Sequence, residues 1–176
     1  MENTAQSTST PASTAFTKGL VLQPEDGKSF WQPVPANGHV IVKLTPEIWD
    51  GPFSMGVQMV APRSYIRQHS HDQHREVVFT WGGQGTVVVN GEEHPMVPGT
   101  LIALPPLVDH IFRNDSDTED LKLVWIICPG GLENFFEAVG RPRTPGEPTP
   151  PNFPRPENVL EIEANTVFTS PKPESK

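Results

Sequence analysis

Residues 68–76 read QHSHDQHRE, a run that places three histidines and a glutamate close together in the chain. On a β-strand, residues i and i+2 project to the same face, so His69 and His71 would place two imidazoles side by side. Glu76 lies five residues after His71, which leaves room for a turn and for the carboxylate to return to the same centre from the next strand. The run therefore predicts a chelating cluster on neighbouring strands.

A third imidazole could come from His110, which directly follows the turn sequence LPPLVD at residues 104–109. Three neutral imidazoles and one carboxylate suit a divalent transition metal such as Fe(II), Mn, Ni, Co, Cu or Zn, and they disfavour Ca²⁺. We therefore predict one metal ion per chain, held by His69, His71, Glu76 and His110. His74 has two interpretations: a solvent-facing loop residue, or an alternative ligand or proton carrier near the mouth of the site.

The sequence around this cluster is organised as short strands. Runs rich in Val, Ile and aromatic residues are separated by Gly and Pro turns, a pattern typical of an all-β sandwich or barrel. Strands are predicted at residues 39–44, 53–60, 64–71, 76–81, 86–90, 100–104, 110–114 and 121–128. Residues 86–91, TVVVNG, are typical of a hairpin arm and its turn. A helix is predicted at residues 132–139, where glycines flank the run LENFFEAV.

Large apolar side chains on these strands predict the core. Alternation over residues 53–59 places four of them on one face of a strand, and we expect that face to be buried. The expected core residues are Phe53, Met55, Val57, Met59, Phe79, Trp81, Phe112 and Trp125. Some of them would line the interior around the metal. We also expect the thiol of Cys128 to be packed rather than reactive.

The spacing of the presumed ligands resembles the two sequence motifs of the cupin family. The pattern H-x-H-x4-E-x6-G over residues 69–83 is similar to the first motif, and G-x5-P-x4-H-x3-N over residues 99–114 is similar to the second. The tail at residues 129–140, followed by a Pro-rich arm, is similar to single-domain relatives of the flavonol (quercetin) dioxygenases.

The resemblance implies an all-β cupin jelly-roll barrel (double-stranded β-helix) with a short C-terminal helix and a Pro-rich arm. It also implies a metal-dependent dioxygenase in which Glu76 moves a proton while a small enolic or phenolic substrate is cleaved with O₂, with Fe(II) as the favoured metal. Two alternatives stay open: a non-redox isomerase, cyclase or decarboxylase, and a non-catalytic ligand-binding cupin. A homodimer is expected, because two copies would cover the apolar outer face of such a barrel.

Two positions depart from the motifs. Arg63 stands where the first motif normally opens with glycine, and Leu107 replaces a glycine of the second. Glycine at such positions serves a positive φ or a close backbone approach, so the shapes of these turns are in question. We expect residues 105–107, PPL, to form a stiffer turn with an apolar lip.

Composition sets the remaining expectations. The 176 residues carry a net charge of −8, which argues against nucleic acid and anionic membranes as partners. We expect a disordered Ser/Thr-rich tail at residues 1–20, a cupin barrel at residues 21–140 and a Pro-rich arm at residues 141–176, with a short helix beginning near Pro156. The single Cys128 and the absence of a visible secretory signal favour the cytoplasm.

Overall fold

The computed structural model describes residues 19–168, so most of the predicted N-terminal tail and the last residues of the arm lie outside the described part. The described chain is built mainly from strands. They are β1 (Lys28–Trp31), β2 (His39–Leu44), β3 (Ser54–Val60), β4 (Tyr65–His69), β5 (Arg75–Gly82), β6 (Gly85–Val89), β7 (Glu92–Met96), β8 (Leu101–Leu104), β9 (His110–Asn114), β10 (Leu121–Cys128) and β11 (Arg141–Pro142). The helices are α1 (Pro46–Trp49), α2 (Leu132–Val139) and α3 (Val159–Ala164). No helix within these residues is long and apolar enough to cross a membrane.

The strands form two antiparallel sheets whose inner faces share one core. The larger sheet has the order β11-β1-β2-β3-β10-β5-β8, and the smaller has the order β4-β9-β6-β7. Val40, Leu123 and Trp125 of the larger sheet and Val87 and Phe112 of the smaller sheet belong to one buried cluster. The predicted all-β jelly roll is confirmed.

The eight predicted strands are present, with ends that differ by up to two residues. Asn90 and Gly91 have positive φ values of 49° and 87° at the turn between β6 and β7, as the hairpin prediction requires. The predicted helix at residues 132–139 is confirmed as α2. The sequence prediction missed β7 and α1, which are short or carry polar residues, and it missed β11, which pairs Arg141 and Pro142 with β1.

The prediction of which face of β3 is buried was wrong. Ser54, Gly56, Gln58 and Val60 are the buried residues of this strand, whereas Met55, Val57 and Met59 are only partly buried. A Cβ on Gly56 would lie 2.4 Å from the ring of Trp125, so the large side chain of β10 fills the space on the inner face. Small residues on β3 therefore make room for the core, and the larger ones project outward.

The outward projection extends to the neighbouring strands. Phe112 and Trp125 are buried as predicted, but Phe79 is 38% exposed and Trp81 is 44% exposed. Both point away from the core on β5, whose inward residues are Glu76, Val78 and Thr80. The prediction that Cys128 is packed was also wrong: the residue is exposed at the end of β10. The larger sheet thus has an apolar outer face.

The Pro-rich arm lies against the barrel. The side chain of Phe153 is buried, its carbonyl accepts a hydrogen bond from the N–H of Val34 at 2.9 Å, and the guanidinium of Arg141 stacks 4.0 Å from its ring. The arm then ends in α3, the predicted short helix, which begins at Val159 rather than near Pro156. This path brings Phe168 beside His71, with which it forms an isolated bridge.

Candidate metal centre

The two sheets bring together the four residues that the sequence predicts as metal ligands. His69 ends β4 and pairs directly with His110, the first residue of β9. Glu76 projects inward from β5, and His71 forms an isolated bridge with Phe168. One potential ligand atom of each residue lies within 4.8 Å of those of the other three.

The spacing of these atoms fits a single ion. The Glu76 carboxylate Oε2 lies 3.3 Å from Nε2 of His110 and 3.5 Å from Nε2 of His71. Two ligand atoms that each lie about 2.1 Å from one ion are separated by roughly 3 to 4.2 Å. The cluster could therefore hold one metal ion without large movements.

The hydrogen bonds of the three imidazoles set their tautomers. Nδ1 of His69 lies 2.8 Å from the carbonyl of Arg67, Nδ1 of His71 lies 2.9 Å from that of Val167, and Nδ1 of His110 lies 2.8 Å from that of Val108. A carbonyl only accepts, so each Nδ1 must carry the proton. In the neutral form, each Nε2 is then an unprotonated acceptor, which is the state that binds a metal.

This arrangement leaves acceptors facing one another. Within the described residues, Nε2 of His71, Nε2 of His110 and Oε2 of Glu76 are buried and have no hydrogen-bond partner. An imidazole lone pair and a carboxylate at such distances need a cation between them, either a proton or a metal ion. These unpaired acceptor atoms support a metal ion at this position.

The charge states agree with this interpretation. Burial alone would raise the pKa of Glu76, but hydrogen bonds from His110 and His71 in their protonated forms outweigh burial and hold the pKa well below its usual range. Burial lowers the pKa of His69, and the neighbouring His110 lowers it further. Glu76 is therefore ionised and His69 neutral at neutral pH, as metal binding requires.

The other histidines lie outside the cluster. The side chain of His74 is only 14% exposed, so its interpretation as a solvent-facing residue was wrong, and its ring lies 6.3 Å from that of His71. Burial lowers the pKa of His74. His94 is exposed, and His39 is partly buried with its ring 5.5 Å from that of Trp31.

Backbone carbonyls, and not the nearby Asp72 and Asp109, are the Nδ1 partners of the three histidines. Asp72 instead accepts a hydrogen bond at 2.7 Å from the backbone N–H of Gln73. The backbone carbonyl of Asp109 accepts a hydrogen bond from the N–H of Asn90 at 2.9 Å. The sequence could have indicated the Nδ1 partner only for His69 and His110, because in these two cases the carbonyl belongs to a residue two positions earlier in the chain.

The backbone is left-handed at both positions where the motifs normally have glycine. Arg63 has a φ of 56° and Leu107 a φ of 65°, both in the left-handed region. Arg63 is fixed by its salt bridge to Asp117 at 2.7 Å, and the N–H of Leu107 donates to the carbonyl of His71 at 2.7 Å. Both turns therefore keep the positive φ that glycine would allow, and Leu107 is 56% exposed but is not among the residues that line the cavity beside the cluster.

A cavity of about 80 Å³ opens beside the cluster, and His69 and Glu76 form part of its wall. Most of the remaining wall is apolar and aromatic. Its aromatic members are Phe30, Trp31, Tyr65, Phe112, Trp125, Phe135, Phe136 and Phe168. Such a wall, with few polar groups, suits a small organic molecule.

Several residues at this cavity were not predicted from the sequence. Arg67 lies two residues before His69 on β4, so strand alternation could have placed it on the same face. Arg155 and Phe168, which also line the cavity, come from the C-terminal arm, as does Val167, whose carbonyl contacts Nδ1 of His71. No sequence pattern relates that arm to the motifs, because its approach depends on the packing of a segment far away in the chain.

Comparison with known proteins assigns the class. A model of the cupin domain matches residues 56–127, which contain all four cluster residues. The chain therefore contains a cupin domain, and its jelly roll is the cupin fold.

Two curated proteins are similar to this domain. Quercetin 2,3-dioxygenase of Bacillus subtilis (strain 168) is 34% identical over 77 residues, which are 44% of this chain and 22% of that protein. Protein SchB of Streptomyces halstedii is 35% identical over 75 residues, which are 43% of this chain and 54% of that protein. The similarity thus spans about half or less of either relative.

Solved structures show the same fold at low identity. A protein described as a predicted oxalate decarboxylase from Thermotoga maritima superposes with a TM-score of 0.54 and 18% identity, over 62% of this chain and 99% of that one. A sugar phosphate isomerase of the cupin superfamily from Silicibacter pomeroyi gives a TM-score of 0.52 and 20% identity, over 62% of this chain and 75% of that one. These likenesses concern the fold alone.

Proposed function

We propose that this chain is a metal-dependent dioxygenase that cleaves a small enolic or phenolic substrate with O₂. The observation that carries the proposal is the juxtaposition of the four-residue cluster and the apolar cavity, because His69 and Glu76 belong to both. The similarity of the domain to quercetin 2,3-dioxygenase supports the reaction type. The proposed ligands are His69, His71, Glu76 and His110, and the favoured metal is Fe(II).

The residues of the chain have separate roles in this proposal. A bound redox-active metal would polarise an enol or hydroxyl oxygen of the substrate and supply electron transfer to O₂. Glu76 accepts the proton of that hydroxyl, because its Oε2 is ionised, buried and without a partner in the described residues. The aromatic wall holds the substrate body and excludes water from the reacting end.

Oxygen consumption tests this reaction. Protein loaded anaerobically with Fe(II) is mixed with a flavonol or a smaller enolic substrate, and O₂ uptake and substrate loss are followed together. We expect the two to be coupled in the wild type and to be absent in Glu76→Gln. Glu92→Gln is a matched control, because Glu92 lies on the exposed β6–β7 hairpin.

The outcome separates the reaction types. Equal substrate loss under argon would replace the dioxygenase with a non-redox isomerase, cyclase or decarboxylase, since the same ligand set also accepts Zn²⁺. Binding of the substrate without any turnover, with or without O₂, would instead identify a ligand-binding module.

We further propose a cytoplasmic homodimer that assembles through the outer face of the larger sheet. Val57, Val124, Phe79 and Leu101 lie side by side across four strands of this sheet. Lys122 lies over the ring of Trp81 on this face, and two copies related by a two-fold axis would bury the apolar area of the four side chains. The lone Cys128 supports a reducing compartment.

Sedimentation velocity tests the dimer. We expect Phe79→Glu to convert it to monomers, while Leu160→Glu, at a more exposed apolar position on α3, leaves it unchanged. A wild-type chain that sediments as a monomer at all concentrations would contradict the proposed dimer.

A further inference from the structure

Two arginines and one glutamate meet beside the cavity. Arg67 lies on β4, Arg155 lies in the Pro-rich arm and Glu163 lies on α3. An Nη2 group of each arginine donates to the same oxygen, Oε1 of Glu163. The Glu163 side chain is 4% exposed, whereas those of Arg67 and Arg155 are 33% and 20% exposed.

The charges of this trio do not balance. Two guanidinium groups share one carboxylate, which leaves one net positive charge in a partly buried location. Burial and, to a lesser extent, the nearby Arg67 lower the pKa of Arg155 to about 10, so this arginine stays protonated at neutral pH. A purely structural pair would need only one arginine, and a second buried cation is costly unless an anion compensates it.

The two arginines also have N–H donors that their hydrogen bonds to Glu163 do not use. A guanidinium carries five N–H donors, and the described side-chain hydrogen bonds of Arg67 and Arg155 engage one group of each. Both residues line the cavity. Arg67 lies two residues before His69 on β4, a Cα separation of about 6.5 Å along a strand.

The two glutamines of the cavity wall already use their side-chain N–H groups. The amide of Gln58 donates to Oε1 of Gln32, and the amide of Gln32 donates to the carbonyls of Asn37 and Met59. Apart from Tyr65 at the exposed edge and the Nε1–H of Trp125, which is buried and has no partner among the described residues, the described polar groups left to contact a ligand are the metal cluster and the arginine pair. The cavity therefore offers two polar ends joined by an apolar wall.

We propose that Arg67 and Arg155 bind a carboxylate of the substrate, so that the substrate is an aromatic or enolic acid whose hydroxyl end reaches the metal cluster. The inference rests on the proposed function for the use of that second end. Paired guanidinium groups are well suited to a carboxylate, which can accept two parallel N–H donors. An acidic protein would thus hold an acidic substrate through a local positive charge.

A binding titration that requires no turnover tests this assignment. Benzoate and its neutral analogue benzamide are titrated into the full chain by NMR, once with EDTA and once with added Zn²⁺. We expect the EDTA-treated wild type to bind benzoate at least tenfold more tightly than benzamide. No detectable benzoate binding, or equal affinities for the two probes, would overturn the proposal.

Charge variants make the test quantitative. Arg155→Gln leaves Arg67 paired one to one with Glu163, so the benzoate preference should disappear. Glu163→Gln raises the net charge of the trio, so benzoate should bind severalfold more tightly than to the wild type. Benzamide affinity should not change in either variant, and Arg113→Gln, which alters an arginine paired with Glu93 on an exposed surface, should match the wild type.

The reverse pattern would identify a structural clamp. In that case Arg155→Gln and Glu163→Gln would lower the melting temperature together and leave the benzoate preference intact. If Arg155→Gln fails to fold, Arg67→Gln takes its place, with the same expected loss. A benzoate preference that needs Zn²⁺ and survives these variants would place the carboxylate on the metal and contradict the assignment. A failed oxygen assay leaves the titration result unaffected, so the two proposals fail separately.

Discussion

The two halves of the metal cluster are held in place by different parts of the chain. His69 and His110 face each other across β4 and β9, and each ring is held by a carbonyl two residues earlier. The ring of His71 is held by the carbonyl of Val167, 96 residues away in the C-terminal arm. The first half is local to the cupin domain, whereas the second depends on a segment outside residues 56–127.

The difference has a physical consequence. A carbonyl on the same strand moves with its histidine, so the orientations of His69 and His110 persist as long as β4 and β9 pair. The orientation of His71 persists only while the arm is docked, with Phe168 against the rings of His69 and His71 at 5.2 and 5.3 Å. The remote half should therefore be the part that can be disturbed without unfolding the barrel.

The largest effect is expected where the two halves meet. Glu76→Gln removes the only charged ligand of the cluster while keeping its shape, so we expect Zn²⁺ affinity to fall by at least about a hundredfold, since even outer hydrogen-bond partners account for 10- to 100-fold. Competition with a chromogenic chelator measures this. Retention of wild-type affinity in Glu76→Gln, with Glu92→Gln as the matched control, would remove Glu76 from the site.

Removing the arm from the remote half should have the next largest effect. A chain that ends at Asn165 loses the Val167 carbonyl and Phe168, and we expect Zn²⁺ affinity to fall about tenfold or more because His71 is no longer oriented. A chain that ends at Phe168 keeps both groups and is the matched control. Equal affinities of the two truncated chains, with the barrel folded by circular dichroism, would show that the arm does not orient His71.

The same difference between the two halves explains which parts of the site could be predicted from the sequence. The i, i+2 spacing of His69 and His71 and the motif spacing to Glu76 and His110 are local, so they predicted which four residues the structure brings together. The contacts of Arg155, Glu163 and Val167 depend on where a Pro-rich arm docks. No local sequence pattern predicts where the arm docks.

The fold shows the same division. Alternation on β3 predicted a strand, but a period of two does not say which face is inward. That choice depends on Trp125, which occupies the space above Gly56 and leaves the larger side chains of β3 outside. The apolar outer face was therefore mistaken for core, although the jelly roll itself was predicted.

His39 offers a contrast to both halves, because it is a partly buried histidine whose Nε2 has no hydrogen-bond partner in the described residues. Burial lowers its pKa from 6.5 to about 4, and Arg143 contributes. The folded state therefore resists protonation, and the free energy of unfolding should fall as the pH drops from about 6.5 to about 4. Urea unfolding across this range should show a shallower loss in His39→Gln than in the wild type. An identical loss would show that His39 does not contribute.

The smallest effect concerns the turn that contacts His71 through its backbone. Leu107→Gly relieves a left-handed backbone, worth about 1 to 2 kcal/mol, and adds about 0.5 to 1 kcal/mol of chain entropy in the unfolded state. We expect a gain of up to about 1 kcal/mol in urea unfolding, with unchanged Zn²⁺ affinity because the N–H to His71 remains. Leu107→Ala, which keeps a Cβ, should show no such gain; an equal gain in both variants would contradict the backbone explanation.

The central claim is that His69, His71, Glu76 and His110 hold one metal ion, and metal analysis tests it most directly. The wild type and the His71→Ala/His110→Ala double variant, which takes one ligand from each half, are saturated with Zn²⁺, desalted and measured by mass spectrometry. The account predicts about one ion per wild-type chain and almost none in the double variant. Equal metal content in two folded proteins would contradict it.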